Sequence, residues 1–417
     1  MSGIKKIMLL FAMINLVVAV NICEPIKNIY FMFYIGIGIL AIMAIVSGLK
    51  SFGKNEVMFC FLCIMMFFLP RIYSDSFFSL DGGILKYDIY ILLLLFLAFN
   101  RLDEIRVVPI LSVVGYIHVI ATYAFLLLPI KIYQNFAKAH YRKFPQGTEG
   151  GVKGYTAALN SHYSSNALYI AVTVLALWAS YLAGNRKNKK TILPLFIMAF
   201  GALILTEKRG HLLFCIGSII FSYYVYNREG IAKIVKRIFE VIIVLIPMYL
   251  VVGMIFPSAF RVLNRFSGLF SGKDISNGRF HFWLVAIKLF FSHPLRGIGW
   301  EKYMDVAKIY HNVHNVYLQL LCETGIIGLL IFLGFILNNF ITIHKINKDR
   351  FFYYLPSNIK LNLIFSEVIQ IFFILYCLTG NCLYDNTLFF YCVGTGIGLA
   401  TQNVIRLYKS EVYRKVL

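Results

Sequence analysis

Ile326–Leu337 reads IIGLLIFLGFIL, and Ile91–Phe99 reads ILLLLFLAF. Neither stretch holds a charge, and neither alternates apolar with polar residues as a membrane-barrel strand does. Both lie within longer apolar runs, and about 20 apolar residues wound as a helix cross a hydrocarbon core of about 30 Å. Lipid offers the backbone no hydrogen bonds, so a spanning chain forms helices or closed barrels. The missing alternation leaves helices. Composition agrees: 59% of the 417 residues are hydrophobic and only 14% are charged, against about a quarter charged in a soluble domain.

Working outward, the chain reads as an all-α, polytopic membrane protein, a single integral membrane domain over 1–417. It has about twelve spans, near 7–23, 29–48, 56–70, 85–100, 107–130, 164–184, 191–206, 210–227, 237–256, 315–342, 361–380 and 386–406. The fourth is the softest, because Lys86 and Asp88 fall at its start. The first follows Lys5 and Lys6 without a small-residue cleavage site, which makes it an anchor rather than a removed signal. Cys60 and Cys63 form a C-x-x-C with no second pair to complete a metal site, so packing explains them better.

Lysine and arginine set the orientation. With the N-terminus inside, 22 of the 40 basic residues fall on segments facing the cytoplasm, and both termini are cytoplasmic. The remainder concentrate in two long outer loops, 131–163 and 257–314, the larger lying between helices 9 and 10. Their net charges are +4 and +5. Long translocated loops tolerate such charge, and it points to an anionic ligand. Nucleic acid fits poorly on that side; a phosphorylated lipid fits well, and lipid headgroups alone are the plainer alternative. Six of the nine histidines fall in or beside these loops.

The larger loop holds Asn277-Gly278-Arg279, then a helix-like stretch, Phe280–Phe291, with Trp283 and Ile287 along one side. Ser292-His293-Pro294-Leu295-Arg296-Gly297-Ile298-Gly299-Trp300 follows, where Pro294 stops the helix and the glycines permit a tight return. A re-entrant or interfacial helix is the natural shape. Then comes His311-Asn312-Val313-His314-Asn315, running directly into an apolar helix with Glu323-Thr324-Gly325-Ile326-Ile327-Gly328. His311 and His314 would share a face if helical. Glu323, nine positions past His314, is about half a turn out of phase, so a bond to Gln319 or another helix suits it better. Gly325 and Gly328 suit close helix packing.

These stretches resemble the O-antigen ligase and polymerase family of bacterial surface-polysaccharide assembly. The resemblance rests on Thr206-Glu207-Lys208-Arg209-Gly210 at a short outer turn, Gly278-Arg279 with its downstream Pro-x-x-Gly-Ile-Gly, and His314-Asn315 followed by Glu-Thr-Gly-Ile-Ile-Gly. It covers about 206–330. Upstream, Asn160–Asn166 (NSHYSSN) is similar to stretches of polymerases. The resemblance implies an inverting, metal-independent glycosyltransferase of the plasma membrane. It would move a glycan from a polyprenyl-diphosphate carrier to a sugar hydroxyl on the outer face, with no cofactor.

The residues suit that chemistry. Arg209 and Arg279 match the family's phosphate-binding arginines, and a guanidinium is a permanently charged fork for phosphate oxygens. Lys208 and Arg265 are plausible helpers. His314 matches the motif histidine and suits a general base, with Asn315 orienting it or the sugar; His311 and His162 are further substrate-binding candidates. Plainer roles compete: helix anchoring for Arg209, capping or pairing with Asp274 for Arg279, and helix-start hydrogen bonding for His314 and Asn315. No D-x-D sequence occurs in an outer segment to hold a diphosphate–metal clamp. Lipid-linked oligosaccharide and membrane lipid are the expected partners, with a flippase and a chain-length regulator beside them. Two alternatives stand: a ligase delivering glycan to a lipid A–core or protein, and, from another class, a polysaccharide or lipid transporter. The latter needs polar residues lining a path through the mid-membrane, and the polar clusters here lie at the outer mouth.

Overall fold

Twenty-residue apolar runs next to short basic turns fold as helices in the computed structural model of the chain. The structure describes residues 3–22, 29–46, 54–78, 81–100, 102, 105–128, 131, 132, 135, 157–160, 162–184, 186–227, 243, 247, 251, 254 and 278–416. No strand occurs among them. The helices are α1 (Gly3–Ile22), α2 (Tyr30–Val46), α3 (Lys54–Tyr73), α4 (Gly82–Phe99), α5 (Val107–Leu127), α6 (Tyr163–Ala183) and α7 (Arg186–Leu205). They continue with α8 (Arg209–Asn227), α9 (Arg279–Ser292), the short α10 (Tyr303–Ala307), α11 (Val316–Lys348), α12 (Ser357–Tyr376) and α13 (Asn386–Val416). Among the described residues eight helices, α1, α3 to α7, α11 and α12, are long and apolar enough to cross a membrane, and α2 is a shorter apolar helix. Most of the expected span at 237–256 lies outside the described residues, as does most of loop 131–163.

The chain divides into two compact units. The first comprises Met1–Leu40, Leu102–Gly272 and Asn347–Val368. Its centre is α6, buried from Asn166 to Leu177, with α5, α7 and α8 packed against it and α1 against α5. A polar group inside lipid must find a partner within the protein, and the side chains here do so in two ways. Thr122, Thr173 and Ser218 each donate to the carbonyl four residues back in their own helix, at 2.7–2.8 Å. Others bond across helices. The buried His118 ring lies 4.6 Å from the Tyr169 ring, its Nε2 is 2.9 Å from the Asn21 carbonyl, and its Nδ1 is 3.2 Å from Asn160 Nδ2. A carbonyl only accepts, so Nε2 carries the proton and Nδ1 accepts from Asn160. Asn166 completes the network by donating to Thr122 Oγ1 at 2.9 Å. The two asparagines that bracket the NSHYSSN stretch thus tie it to α1 and α5.

The second unit comprises Ala41–Arg101, Lys273–Ile346 and Ile369–Leu417. Here α4 packs along α13 and against α3. The charges that made the fourth span doubtful are accommodated. Asp81 caps α4 by accepting from Gly83 N at 3.1 Å, Lys86 stands 5.7 Å from the Tyr90 ring centroid, and Asp88 pairs with Arg71 of α3 at 2.5 Å. Removing one partner of such a buried pair costs about 3–5 kcal/mol, so the pair holds α3 and α4 in register.

Candidate functional site

Helix α9 starts at Arg279, after Gly278 turns the backbone into the left-handed region at φ 82. A stripe of α9 joins Tyr303, Val313 and Cys322 in an apolar cluster, with Ala286 at its centre and Phe282, Trp283, Leu289 and Phe290 around it. Ile287, expected beside Trp283, is not in that cluster. Two contacts fix the helix to the histidine segment and a third fixes it to α10. Trp283 Nε1 donates to the Val313 carbonyl at 3.1 Å, Tyr303 Oη donates to the Phe282 carbonyl at 2.9 Å, and the Phe282 and His311 rings lie 5.7 Å apart. Arg279 precedes Phe282 and Trp283 by three and four positions, so it shares the α9 face that meets 311–313.

The 311–314 stretch is not helical, so the shared face expected of His311 and His314 does not arise. The reason is local. His314 adopts φ 54, and Asn315 caps α11, its Oδ1 accepting from Leu318 N at 3.1 Å. The helix therefore begins one residue beyond the motif pair. Val316 N donates to the Cys377 carbonyl at 2.8 Å, which seats that helix start on the turn after α12.

Helix α11 is broken at Gly325, whose φ of 66 and ψ of −169 are non-helical. The break exposes backbone groups that the 294–300 segment takes up. Ile298 N donates to Cys322 O and Gly299 N to Glu323 O, both at 2.9 Å, and Ile326 N donates back to Pro294 O at 2.9 Å. The contact is so close that a Cβ on Gly325 would lie 2.3 Å from Leu295 O, and one on Gly297 (φ 63) 2.3 Å from Glu323 C. Only glycine fits either position. Pro-x-x-Gly-Ile-Gly and Glu-Thr-Gly are thus two halves of one backbone lock, a stronger demand on Gly325 than helix packing. At Gly328 a Cβ would meet Thr324 Oγ1 of its own helix at 2.0 Å and Leu69 of α3 at 3.3 Å.

Glu323, fully buried, accepts from Gln319 Nε2 at 3.2 Å, Tyr303 N at 3.3 Å and Tyr384 Oη at 3.0 Å. The bond to Gln319 is as the helical phase predicted. Trp300 sits beside it between Tyr87 and Tyr384, with ring centroids 5.4 and 5.7 Å away. Lys302 pairs with Asp75 in the α3–α4 connection.

In the first unit, Lys208 and Arg209 open α8 after Glu207, which stands at φ 58. Lys208 Nζ lies 3.8 Å from the Tyr163 ring centroid. Neighbouring His162 caps α6, its Nδ1 accepting from Ser164 N at 3.0 Å. Burial, and then the Lys208 charge, push the His162 pKa down from 6.5 to about 4. Near pH 7 this imidazole is neutral, and the cations of the cluster are Lys208 and Arg209.

The structure therefore gathers Arg279, His311, His314 and Asn315 in one unit, and His162, Lys208 and Arg209 in the other. Arg265 lies outside the described residues. Among the described residues no group of three His, Cys, Asp or Glu side chains is placed to hold a metal ion. The supporting role of Tyr303 and Tyr384 carries no signal in sequence. Glu323 does carry one: it is the sole carboxylate between Asp305 and Asp349 in an otherwise apolar helix.

No curated protein matches the chain in sequence. Residues 193–333 match the family model described as O-antigen ligase, a stretch that spans Lys208-Arg209, Arg279, the backbone lock and His314-Asn315. The chain thus carries, over 193–333, a domain of the O-antigen ligase/polymerase family.

Proposed function

We propose that this protein is an inverting, metal-independent glycosyltransferase that polymerises polyprenyl-diphosphate-linked oligosaccharide repeats on the outer face of a bacterial plasma membrane. His314 takes the proton from the acceptor hydroxyl, whose oxygen attacks the anomeric carbon opposite the leaving group. The bond from that carbon to the phosphate oxygen breaks, and the diphosphate departs with the electron pair. Arg279 and Arg209 stabilise the charge it gains, and Lys208 and Arg265 assist. Asn315, His311 and His162 contact the sugars or orient the base. A flippase supplies the lipid-linked substrate and a chain-length regulator limits the product.

The observation carrying this reading is the docking of the Arg279 end of α9 onto the His311–Asn315 segment, inside the stretch that matches the family. A phosphate-binding cation and a titratable base then belong to one small assembly. Asn315 already gives its Oδ1 to the α11 cap, so its Nδ2 is the group for a sugar.

The ligase reading shares this chemistry and differs in its acceptor; the description of the matched family favours it. Polymerase is favoured by the Asn160–Asn166 stretch, although the bonds of Asn160 and Asn166 to His118 and Thr122 give these two residues a structural task. A purified preparation given a defined lipid-linked repeat and a chelator decides. Laddered products with release of polyprenyl diphosphate are expected. Transfer only to a lipid A–core acceptor would make it a ligase, and movement of the lipid between leaflets without diphosphate release would make it a transporter. His314→Ala and Arg279→Ala should each abolish chain growth while the protein accumulates normally, and full activity in both would remove the site assignment.

A further inference from the structure

The assignment of His314 and Arg279 leaves unexplained a buried carboxylate that holds their supports together. Glu323 lies in the first section of α11, between the Asn315 cap and the break at Gly325. Its bonds to Tyr303 N, Gln319 Nε2 and Tyr384 Oη are joined by one from the Glu301 backbone N–H. Every partner is a donor, the set that an acceptor-only carboxylate satisfies and that a glutamine amide would meet with a donor of its own. The donors come from three segments: the loop before α10, α11 itself and the turn before α13. Tyr303 carries the connection on to α9, through its hydroxyl bond to the Phe282 carbonyl.

We propose that Glu323 is a positioning residue for the reaction above. Its carboxylate clasps the 301–303 loop and Tyr384 onto the first section of α11, and thereby holds His314 and, through Tyr303, the helix bearing Arg279 in their reacting geometry. Glu323 itself contacts no substrate. The proposal rests on the glycosyltransferase reading, and its test separates the two.

Glu323→Gln and Tyr384→Phe are compared with the wild type in turnover of a lipid-linked repeat and in hydrogen–deuterium exchange of peptides over 297–304. For Glu323→Gln we expect kcat to fall about a hundredfold, the loss that misplacement by about 1 Å produces, with KM unchanged and exchange accelerated. Tyr384→Phe, which keeps its shape, should shift both readouts the same way by less, and it carries the test if Glu323→Gln does not accumulate. The double variant should be no slower than Glu323→Gln alone, because the hydroxyl acts through the carboxylate. Wild-type turnover in Glu323→Gln, unchanged exchange, or fully additive effects would overturn the clasp. Accelerated exchange in a protein whose wild type forms no product would instead uphold the clasp and overturn the glycosyltransferase reading.

Discussion

His162 shows how one residue serves the fold and the electrostatics of its surroundings together. As the cap of α6 its Nδ1 must accept from Ser164 N, which a protonated ring cannot do. Burial and Lys208 keep it unprotonated down to about pH 4. Its folded pKa lies below the unfolded value of 6.5, so the unfolded chain binds the proton first as the solution is acidified. The stability His162 contributes is therefore whole above about pH 6.5 and is lost as pH falls toward 4. Asparagine caps without titrating. The wild type should consequently lose melting temperature relative to His162→Asn between pH 7 and 4.5, and a constant difference across that range would refute this. His314 and Asn315 stood out in sequence as candidates because an unusual cluster of polar residues opens an apolar helix, and Arg279 because Gly278-Arg279 resembles a family motif. The cap on Asn315 and the left-handed backbone at His314 were not, since neither has a signature beyond residue types that allow it.

At the scale of elements, apolar runs located most of the helices, because lipid imposes one solution on a long uncharged segment, but α11 and α13 run on to Lys348 and Val416, past their expected ends at 342 and 406. What the runs could not reveal is how irregular backbone near the membrane is satisfied. Lys86 and Asp88 read as a reason to doubt the fourth span; the Arg71 partner that excuses Asp88 comes from another helix and is invisible to periodicity. The glycines of the 294–299 and 323–328 motifs suggested a turn and packing, yet they meet each other by backbone hydrogen bonds, which any sequence can make if no Cβ intervenes. This yields a contrast between two glycines of α11. Gly325→Ala places a side chain at positive φ and 2.3 Å from Leu295 O, and should destabilise the protein by at least about 3 kcal/mol. Gly334→Ala meets only Leu62 Cδ2 at 3.7 Å and should be tolerated. Thermal unfolding in nanodiscs, with lipid-linked substrate turnover, measures both. Equal behaviour of the two variants would remove the lock from the explanation of these motifs.

Across the whole molecule, the basic residues predict sides that helix geometry alone leaves open. Within the second unit, segments expected at the outer face meet one another: Trp300 N donates to Tyr73 O, Val316 N to Cys377 O, and Tyr384 Oη to Glu323. In the first unit, Lys208 meets Tyr163 in the same manner. Each pairing requires an even number of crossings between the segments it joins. From Gly325, α11 then runs on to Lys348, about 35 Å at 1.5 Å per residue, enough to cross a hydrocarbon core of about 30 Å. Its two ends should therefore face opposite compartments, and the cluster of Lys345 and Lys348 predicts a cytoplasmic far end. Tyr310, 97% exposed, lies just before α11, and exposed Lys345 lies near its end. Cysteines introduced singly at these positions should divide cleanly in intact cells treated with a membrane-impermeant maleimide: Tyr310→Cys is labelled at once and Lys345→Cys only after permeabilisation, each measured above the wild-type background. The reverse pattern would turn the whole protein over, put Arg279 and His314 on the cytoplasmic side, and remove the outer-face glycan chemistry proposed for them.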